Sequence, residues 1–231
     1  GFLPNVTHAY IPVRSQIING QEYALIRLGD KTIVEWVVDK AKSSQLVSEI
    51  ILLVDDQKLK LEIEKLFLEE SRVTVATRDK KFSASGISMN QSIREYLRIS
   101  GRVKPDTTVV LTLNCPFSRQ NYIDAAIYSM FLFQSNAIDS VVMDNSIFYF
   151  HDGTGIKPWT DIHVRNERED IYLRRGGISV MNDAVVALDN PVASDRMGHV
   201  IIDQVSSFEI RSSEDIKIAN FMASNIVINN L

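Results

Sequence analysis

Short apolar runs alternate with amphipathic segments along most of this sequence. Residues 50–54 are apolar at every position, as expected for a strand buried on both faces of a parallel sheet. Residues 31–43 instead place apolar side chains at helical spacing. The repeated alternation predicts a three-layer α/β/α, Rossmann-like mixed sheet that is mostly parallel.

The predicted elements cover most of the chain. The strands are residues 9–13, 50–54, 72–77, 107–113, 140–143, 177–181 and 207–210, and the helices are residues 31–43, 59–68, 87–99, 121–134 and 213–223. Ligands of such sheets bind outside the carboxyl ends of the strands. We therefore expect the site in the loops that follow Val13, Val54 and Leu113.

Length and charge narrow the functional classes. The 231 residues suit one domain, and 45% of them are hydrophobic. The formal net charge of -4 gives no global reason to bind nucleic acid or a membrane surface. No apolar run reaches the roughly 18 residues that span a bilayer, and no secretory pattern opens the chain. We expect a cytoplasmic protein without a disulfide, because Cys115 is the only cysteine.

Several short motifs follow one another in a defined order. They are A-Y-I-P-V-R at 9–14, L-G-D-K-T-I-V-E-W at 28–36, L-V-D-D at 53–56, A-S-G-I at 84–87, L-T-L-N-C-P-F at 111–117, Arg165 with Tyr172 and Gly176, R-M-G at 196–198, and S-F-E-I-R-S-S-E-D-I at 207–216. Together they resemble the CMP-sialic acid synthetase-like sugar cytidylyltransferases over roughly residues 9–223.

That resemblance implies a nucleotide-diphospho-sugar transferase fold and a reaction. The enzyme would transfer CMP from CTP to an acidic or phosphorylated sugar with Mg²⁺, releasing pyrophosphate. The implied roles are catalytic for Arg14 and Lys31; nucleotide-binding for Arg14, Ser15, Gln16, Ser85, Thr112, Asn114 and Cys115; sugar-binding for Arg165 and Tyr172; and metal-binding for Glu209. It also implies a homodimer, formed by an excursion near residues 147–177 of a single domain, 1–231.

The chain departs from the family pattern where the chemistry is concentrated. Residues 15–24 lack both lysines and the run of glycines of the family's first loop, so fewer backbone amides can approach a phosphate. Glu209 and Arg211 replace two metal-binding aspartates. Glutamate still ligates Mg²⁺, whereas arginine repels it and could instead neutralise phosphate. A second hypothesis is therefore a catalytically degenerate relative that binds a ligand or a partner protein.

Several candidates also have structural interpretations. Asp55 and Asp56 read as a metal pair or as a cap for the next helix. Ser212 and Asp215 form a capping box, which accounts for acids there. Lys31 also suits a helix start. A glycosyltransferase needs an isolated Asp-x-Asp after a strand, and none stands out.

Two further groups leave alternatives open. Asn114 and Cys115 contact the base or ribose, or only form a turn before Pro116. The basic stretch is a solvated face or a site for an anionic sugar or partner subunit; its members are Arg165, Arg168, Arg174 and Arg175.

Overall fold

The computed structural model describes residues 6–84, 86–119, 121–159, 171–190 and 196–227. The central sheet has seven strands: β1 (Thr7–Val13), β2 (Glu49–Val54), β3 (Val73–Thr77), β4 (Thr107–Leu111), β5 (Ala137–Asp144), β6 (Ile171–Asn182) and β7 (Met197–Ile201). The α-helices of the described part are α1 (Ile33–Ser43), α2 (Gln57–Leu66), α3 (Met89–Ser100), α4 (Asn121–Leu132), α5 (Asp183–Val186) and α6 (Ser213–Met222).

The order of the strands across the sheet is β7-β5-β6-β4-β1-β2-β3. Strand β1 pairs in parallel with β2 and β4, β2 with β3, and β5 with β7. Only β6 runs antiparallel to its neighbours, β4 and β5, within this sheet. The mixed, mostly parallel sheet predicted from the alternating pattern is confirmed.

Both faces of the sheet are covered, which makes the three layers. Alternate residues of β1 point to opposite cores: Ile11 packs in the larger cluster and Tyr10 in the smaller one. The larger cluster takes side chains from α1, α2, α4 and α6, and the smaller from α3 and α5. Burial on both faces explains the continuous apolar runs. No helix within the described ranges combines the length and apolarity needed to cross a bilayer.

Helix starts follow the capping chemistry of the sequence. Thr32 and Glu35 form a capping box at α1, and Ser212 with Asp215 forms the predicted box at α6. Asp56 caps α2 by accepting the amide of Leu59 at 2.9 Å. The structural interpretation of Asp56 and of the Ser212 segment is therefore confirmed.

One predicted strand is wrong and another was missed. Residues 207–210 form no ladder, because turns fold this segment: the amides of Ser207 and Phe208 donate back to Asp203 and Val205. Ile210 is buried and anchors the segment. Its apolar side chain produced the alternation of polar and apolar residues at 207–210 that is typical of a strand. Strand β7 was missed because its residues alternate between exposed and half-buried positions at the sheet edge. Strand β6 is also longer than the predicted residues 177–181.

Small elements decorate the sheet. They are the paired strands Ile17–Ile18 with Gln21–Glu22, Arg27–Leu28 with Lys31–Thr32, and Tyr149–His151 with Ile156–Pro158; the 3₁₀ turns Tyr23–Leu25 and Lys80–Ser83; and a π-helical turn Ala223–Val227. The pair that starts at Tyr149 lies in the predicted excursion. Its Phe150 and Trp159 are both exposed and meet edge to face.

Strand β6 contains a glycine bend beside the end of β4. Gly176 and Gly177 have φ of +86° and +62°, where only glycine is unstrained. The carbonyl of Gly177 accepts the amide of Thr112 at 3.1 Å. A Cβ at Gly177 would collide with Thr112 Oγ1 and lie 3.3 Å from Cys115 Cβ. The bend therefore lets β6 approach the loop after β4 closely.

Substitution of Gly177 tests this close approach. Gly177→Ala should lower the free energy of unfolding by about 2 to 4 kcal/mol, since it adds overpacking to backbone strain. Gly20→Ala is the control, because Gly20 has φ of +77° with no atom near its Cβ position. We expect the control to lose only about 1 to 2 kcal/mol in urea unfolding. Equal losses would show that the contact with Thr112 is unimportant.

Candidate functional site

The loops after β1, β2 and β4 meet at one edge of the sheet. The strands are parallel neighbours, so Arg14, Asp55 and Thr112 follow them at the same edge. The bent part of β6 reaches this edge as well, because Ile178 pairs with Leu111. The structure thus brings together most of the predicted site residues that it describes.

A basic pocket of about 290 Å³ lies beside the end of β1. Its lining includes two cations, Arg14 and Lys80, and one acid, Asp55. Burial lowers the pKa of the neighbouring Arg78 guanidinium; Asp55 opposes this shift and Arg14 adds to it. The cations outnumber the carboxylate, so the pocket favours an anionic ligand.

Two carboxylates of the chain already accept hydrogen bonds from the polar groups of the first loop. The amide of Ser15 donates to Asp55 Oδ1 at 2.8 Å. Glu22 accepts the Ser15 hydroxyl at 2.6 Å and the amide of Gln16 at 3.1 Å. These donors are of the kind that hold phosphate in nucleotide sites. An incoming phosphate would have to displace Glu22 to reach them.

A chain of hydrogen bonds follows β4. Thr112 Oγ1 bonds to Asn114 Oδ1 at 2.6 Å, and Asn114 Nδ2 donates to Glu209 Oε1 at 2.8 Å. The carbonyl of Asn114 accepts the amide of Ile210 at 2.8 Å. Of the predicted nucleotide residues, Asn114 is therefore joined directly to the predicted metal ligand, Glu209, and Thr112 is joined to it through Asn114.

The surroundings of Glu209 do not fit a divalent metal ion. Its Oε2 forms an ion pair with Arg175 and accepts Arg211 Nη2 at 2.8 Å. Two guanidinium groups at one carboxylate repel a cation, and hard cations need several oxygen ligands. Among the described residues, no group of three or more His, Cys, Asp or Glu side chains could hold a metal. We therefore assign no Mg²⁺ to the Glu209 site.

A larger pocket of about 650 Å³ opens on the same edge, on the α3 side of the sheet. Pro12, Thr112 and Arg174 line it together with the segment 86–90. Arg174 Nη2 donates to Ser179 Oγ at 2.7 Å, and Ser179 Oγ donates to Asp139 at 2.6 Å. The guanidinium of Arg174 is therefore available to a ligand in the pocket, and Asp139 offsets part of its positive charge.

Each pocket is lined by one buried serine hydroxyl that lacks a partner among the described residues. The Oγ atoms of Ser83 and Ser88 have no hydrogen-bond partner within the described part of the chain. Ser83 lines the basic pocket and Ser88 the larger one. Ser88 is the N-cap residue of α3, yet its side chain caps nothing. Unsatisfied buried polar groups are rare, and a bound ligand is one explanation for them.

The remaining predicted residues lie elsewhere. Lys31 pairs with Asp39 at 2.8 Å and lines a third pocket, of about 380 Å³, beside Trp36. Tyr172 is half-exposed and stacks on His199 of β7, with ring centroids 4.9 Å apart. Ser85 and Arg165 lie outside the described residues.

Cys115 is buried under the loop after β4. Burial raises the pKa of its thiol, which disfavours a nucleophilic thiolate. Its carbonyl accepts Lys40 Nζ at 2.7 Å, and the same amine donates to Ser118 Oγ at 2.5 Å. Lys40 of α1 is almost fully buried and therefore ties the helix to the loop that carries Asn114.

Sequence reasoning missed three residues of this site: Arg78, Lys80 and Glu22. The first two follow β3, whose carboxyl end reaches the same edge, so strand order was an available signal. Arg175 was predicted only as a member of the basic stretch. No sequence signal links it to Glu209, since 34 residues separate them.

The solved structures that resemble this chain in fold include sugar cytidylyltransferases. The 4-diphosphocytidyl-2C-methyl-D-erythritol synthase of Anaerococcus prevotii is 14% identical and aligns over 95% of this chain and 96% of that one, with a TM-score of 0.71. A CMP:2-keto-3-deoxy-manno-octonic acid synthetase complexed with CTP is 13% identical, with coverages of 96% and 100% and a TM-score of 0.66. The 2-C-methyl-D-erythritol 4-phosphate cytidylyltransferase of Francisella tularensis is 13% identical, with coverages of 94% and 99% and a TM-score of 0.65.

These matches concern the fold. No model of a known protein family matches the chain, and neither does any curated protein. The chain has the nucleotide-diphospho-sugar transferase fold that the resemblance implied.

Burial of Lys40 predicts a pH dependence of stability. It lowers the pKa of the amine from an ordinary 10.5 to about 8. Between these values the unfolded chain binds the proton and the folded chain does not, so stability rises with pH across the window. Relative to Lys40→Met, the wild type should gain on the order of 2 kcal/mol between about pH 8 and pH 10.

Chemical denaturation at several pH values measures this gain. Lys65→Met is the control, because Lys65 is mostly exposed on α2 and pairs only with Glu62. A constant difference between the wild type and Lys40→Met across the window would contradict the prediction.

Proposed function

We propose that this protein transfers CMP from CTP to an acidic or phosphorylated sugar and releases pyrophosphate. The observation that carries the proposal is a pair of pockets, one lined by Arg14 and one by Thr112, that both reach the carboxyl edge of the sheet. One is small and basic, as a triphosphate requires. The other has the size of a site for a small molecule.

In this proposal the basic pocket holds the phosphates. Arg14 and Lys80 neutralise charge there, and Lys80 takes the role that the family resemblance implied for Lys31. A sugar oxygen attacks the α-phosphorus, the bond to the bridging oxygen breaks, and pyrophosphate leaves with the electron pair. Where the attacking oxygen is a hydroxyl, its proton passes to solvent. Little covalent chemistry is required of the protein, because positioning and charge neutralisation lower the barrier.

The nucleoside and the sugar share the larger pocket. We assign Thr112, Asn114 and the backbone of Cys115 to the nucleoside, with Ser15, Gln16 and Ser85 nearer the phosphates. Arg174 lies closer to the sugar, and its guanidinium suits a carboxylate or phosphate substituent. Tyr172 and Arg165 complete the proposed sugar-binding set.

A homodimer is part of the proposal. The exposed aromatic side chains of Phe150, on the first of the paired strands, and of Trp159, directly after the second, offer an apolar surface to a second copy. The assignments to one domain and to the cytoplasm stay predictions from the sequence.

A second candidate function is favoured by Glu22. Its carboxylate already satisfies the Ser15 hydroxyl and the Gln16 amide, which a catalytic phosphate loop would leave for its substrate. On this alternative the chain keeps the fold and binds a ligand or a partner protein without catalysis.

Nucleotide selectivity tests the first candidate. We expect CTP to raise the melting temperature more than UTP, GTP or ATP, and a panel of sugar acids and sugar phosphates to include a substrate that releases pyrophosphate. Arg14→Gln should weaken CTP binding by about tenfold or more, since a charge-assisted contact is lost. Arg27→Gln is the control, because that side chain bonds to the carbonyl of Asp30. No stabilisation by any nucleotide would contradict the proposal.

Glu22 separates the two candidates. Glu22→Gln removes one negative charge from the first loop, so CTP affinity should rise by about tenfold if the loop approaches the phosphates. Glu64→Gln on α2 is the matched control, since Glu64 pairs with Lys60 on the surface. Isothermal titration calorimetry measures both. Unchanged CTP affinity in Glu22→Gln would exclude the Ser15 hydroxyl and the Gln16 amide from phosphate binding and favour the second candidate.

A further inference from the structure

Arg175 and Arg211 converge on one carboxylate at the edge of the sheet where the nucleotide is proposed to bind. Both contact Oε2 of Glu209, and Oε1 of the same group accepts Asn114 Nδ2 at 2.8 Å. The carboxylate thus fixes where both guanidinium groups stand, close to the hydrogen-bonded chain that begins at Thr112.

Two guanidinium groups share one carboxylate at Glu209. Two further acids lie nearby: the charge of Asp144 interacts with Arg175, and the Asp215 carboxylate accepts the backbone amide of Arg211 at 2.8 Å. Each guanidinium has five N–H donors and spends one of them on Glu209. The side chain of Arg175 is mostly buried, so its N–H donors are held by their surroundings. The side chain of Arg211 is mostly exposed, so its N–H donors reach solvent.

We infer that Arg175 and Arg211 replace a divalent metal ion in this site and bind the phosphates of the nucleotide without Mg²⁺. This inference rests on the proposed function for the identity of the nucleotide. Guanidinium groups bind phosphate oxygens bidentately and, unlike a metal ion, remain attached to the chain. The arginine at position 211 then complements the fixed Arg175 instead of disabling a metal centre.

Calorimetry with CTP in excess EDTA and in excess MgCl₂ tests the inference. The dissociation constant of the wild type should agree within about twofold between the two conditions. Arg211→Gln should weaken binding in EDTA by about tenfold, because a charge-assisted contact is lost.

Arg211→Asp provides a sharper variant. It places a second carboxylate near Glu209, so binding should become dependent on Mg²⁺ and weaker in EDTA by about tenfold or more. Arg98→Asp is the control for the change in charge, since Arg98 lies exposed on α3 and pairs with Glu95. Circular dichroism confirms that each variant folds.

Wild-type affinity that rises about tenfold or more with Mg²⁺ would overturn the inference. Pyrophosphate is the second probe, which separates this inference from the proposed function. If CTP fails to bind but pyrophosphate binds in EDTA and loses affinity in Arg211→Gln, the proposed function fails and the inference stands. If pyrophosphate does not bind in EDTA, the inference fails.

Discussion

Parallel pairing of β1 with β2 and β4 is the constraint on which the site depends. Ladders fix β1 at both sides and two cores cover its faces, so its carboxyl end is the part left for recognition. Neighbouring strands lie about 4.8 Å apart. Loops that leave them at the same edge therefore start within reach of one another, which is why Arg14, Asp55 and Thr112 form a site although they are far apart in sequence.

Several cationic groups at this edge are opposed by acids of the same chain. Asp55 lies beside Arg14, Asp139 beside Arg174, and Glu209 between Arg175 and Arg211. An anionic ligand must therefore replace ion pairs that already exist between these arginines and acids. The affinity is the difference between the two sets of contacts, and small changes in the acids shift it strongly.

The sequence predicted what local patterns encode. Apolar runs located the buried strands, helical spacing located the long helices, and the acids at Asp56 and Asp215 were readable as caps. Strand order then predicted that Arg14 and Asn114 share an edge. The contacts between distant segments were not readable, because nothing local pairs Glu22 with Gln16 or Arg175 with Glu209. The turns that replace the strand predicted at residues 207–210 were unreadable for the same reason, since the amide of Ile210 donates to the carbonyl of the distant Asn114.

The hydroxyls of Ser83 and Ser88, which find no partner among the residues that the structure describes, affect how long the protein survives in a cell. A buried polar group without a partner costs about 1 to 3 kcal/mol, which is a large share of the stability of a typical domain. A ligand that supplies the missing partners would recover this free energy. Protein molecules without ligand would then unfold more often and be removed faster by proteases, so the amount of protein would follow the supply of its ligand.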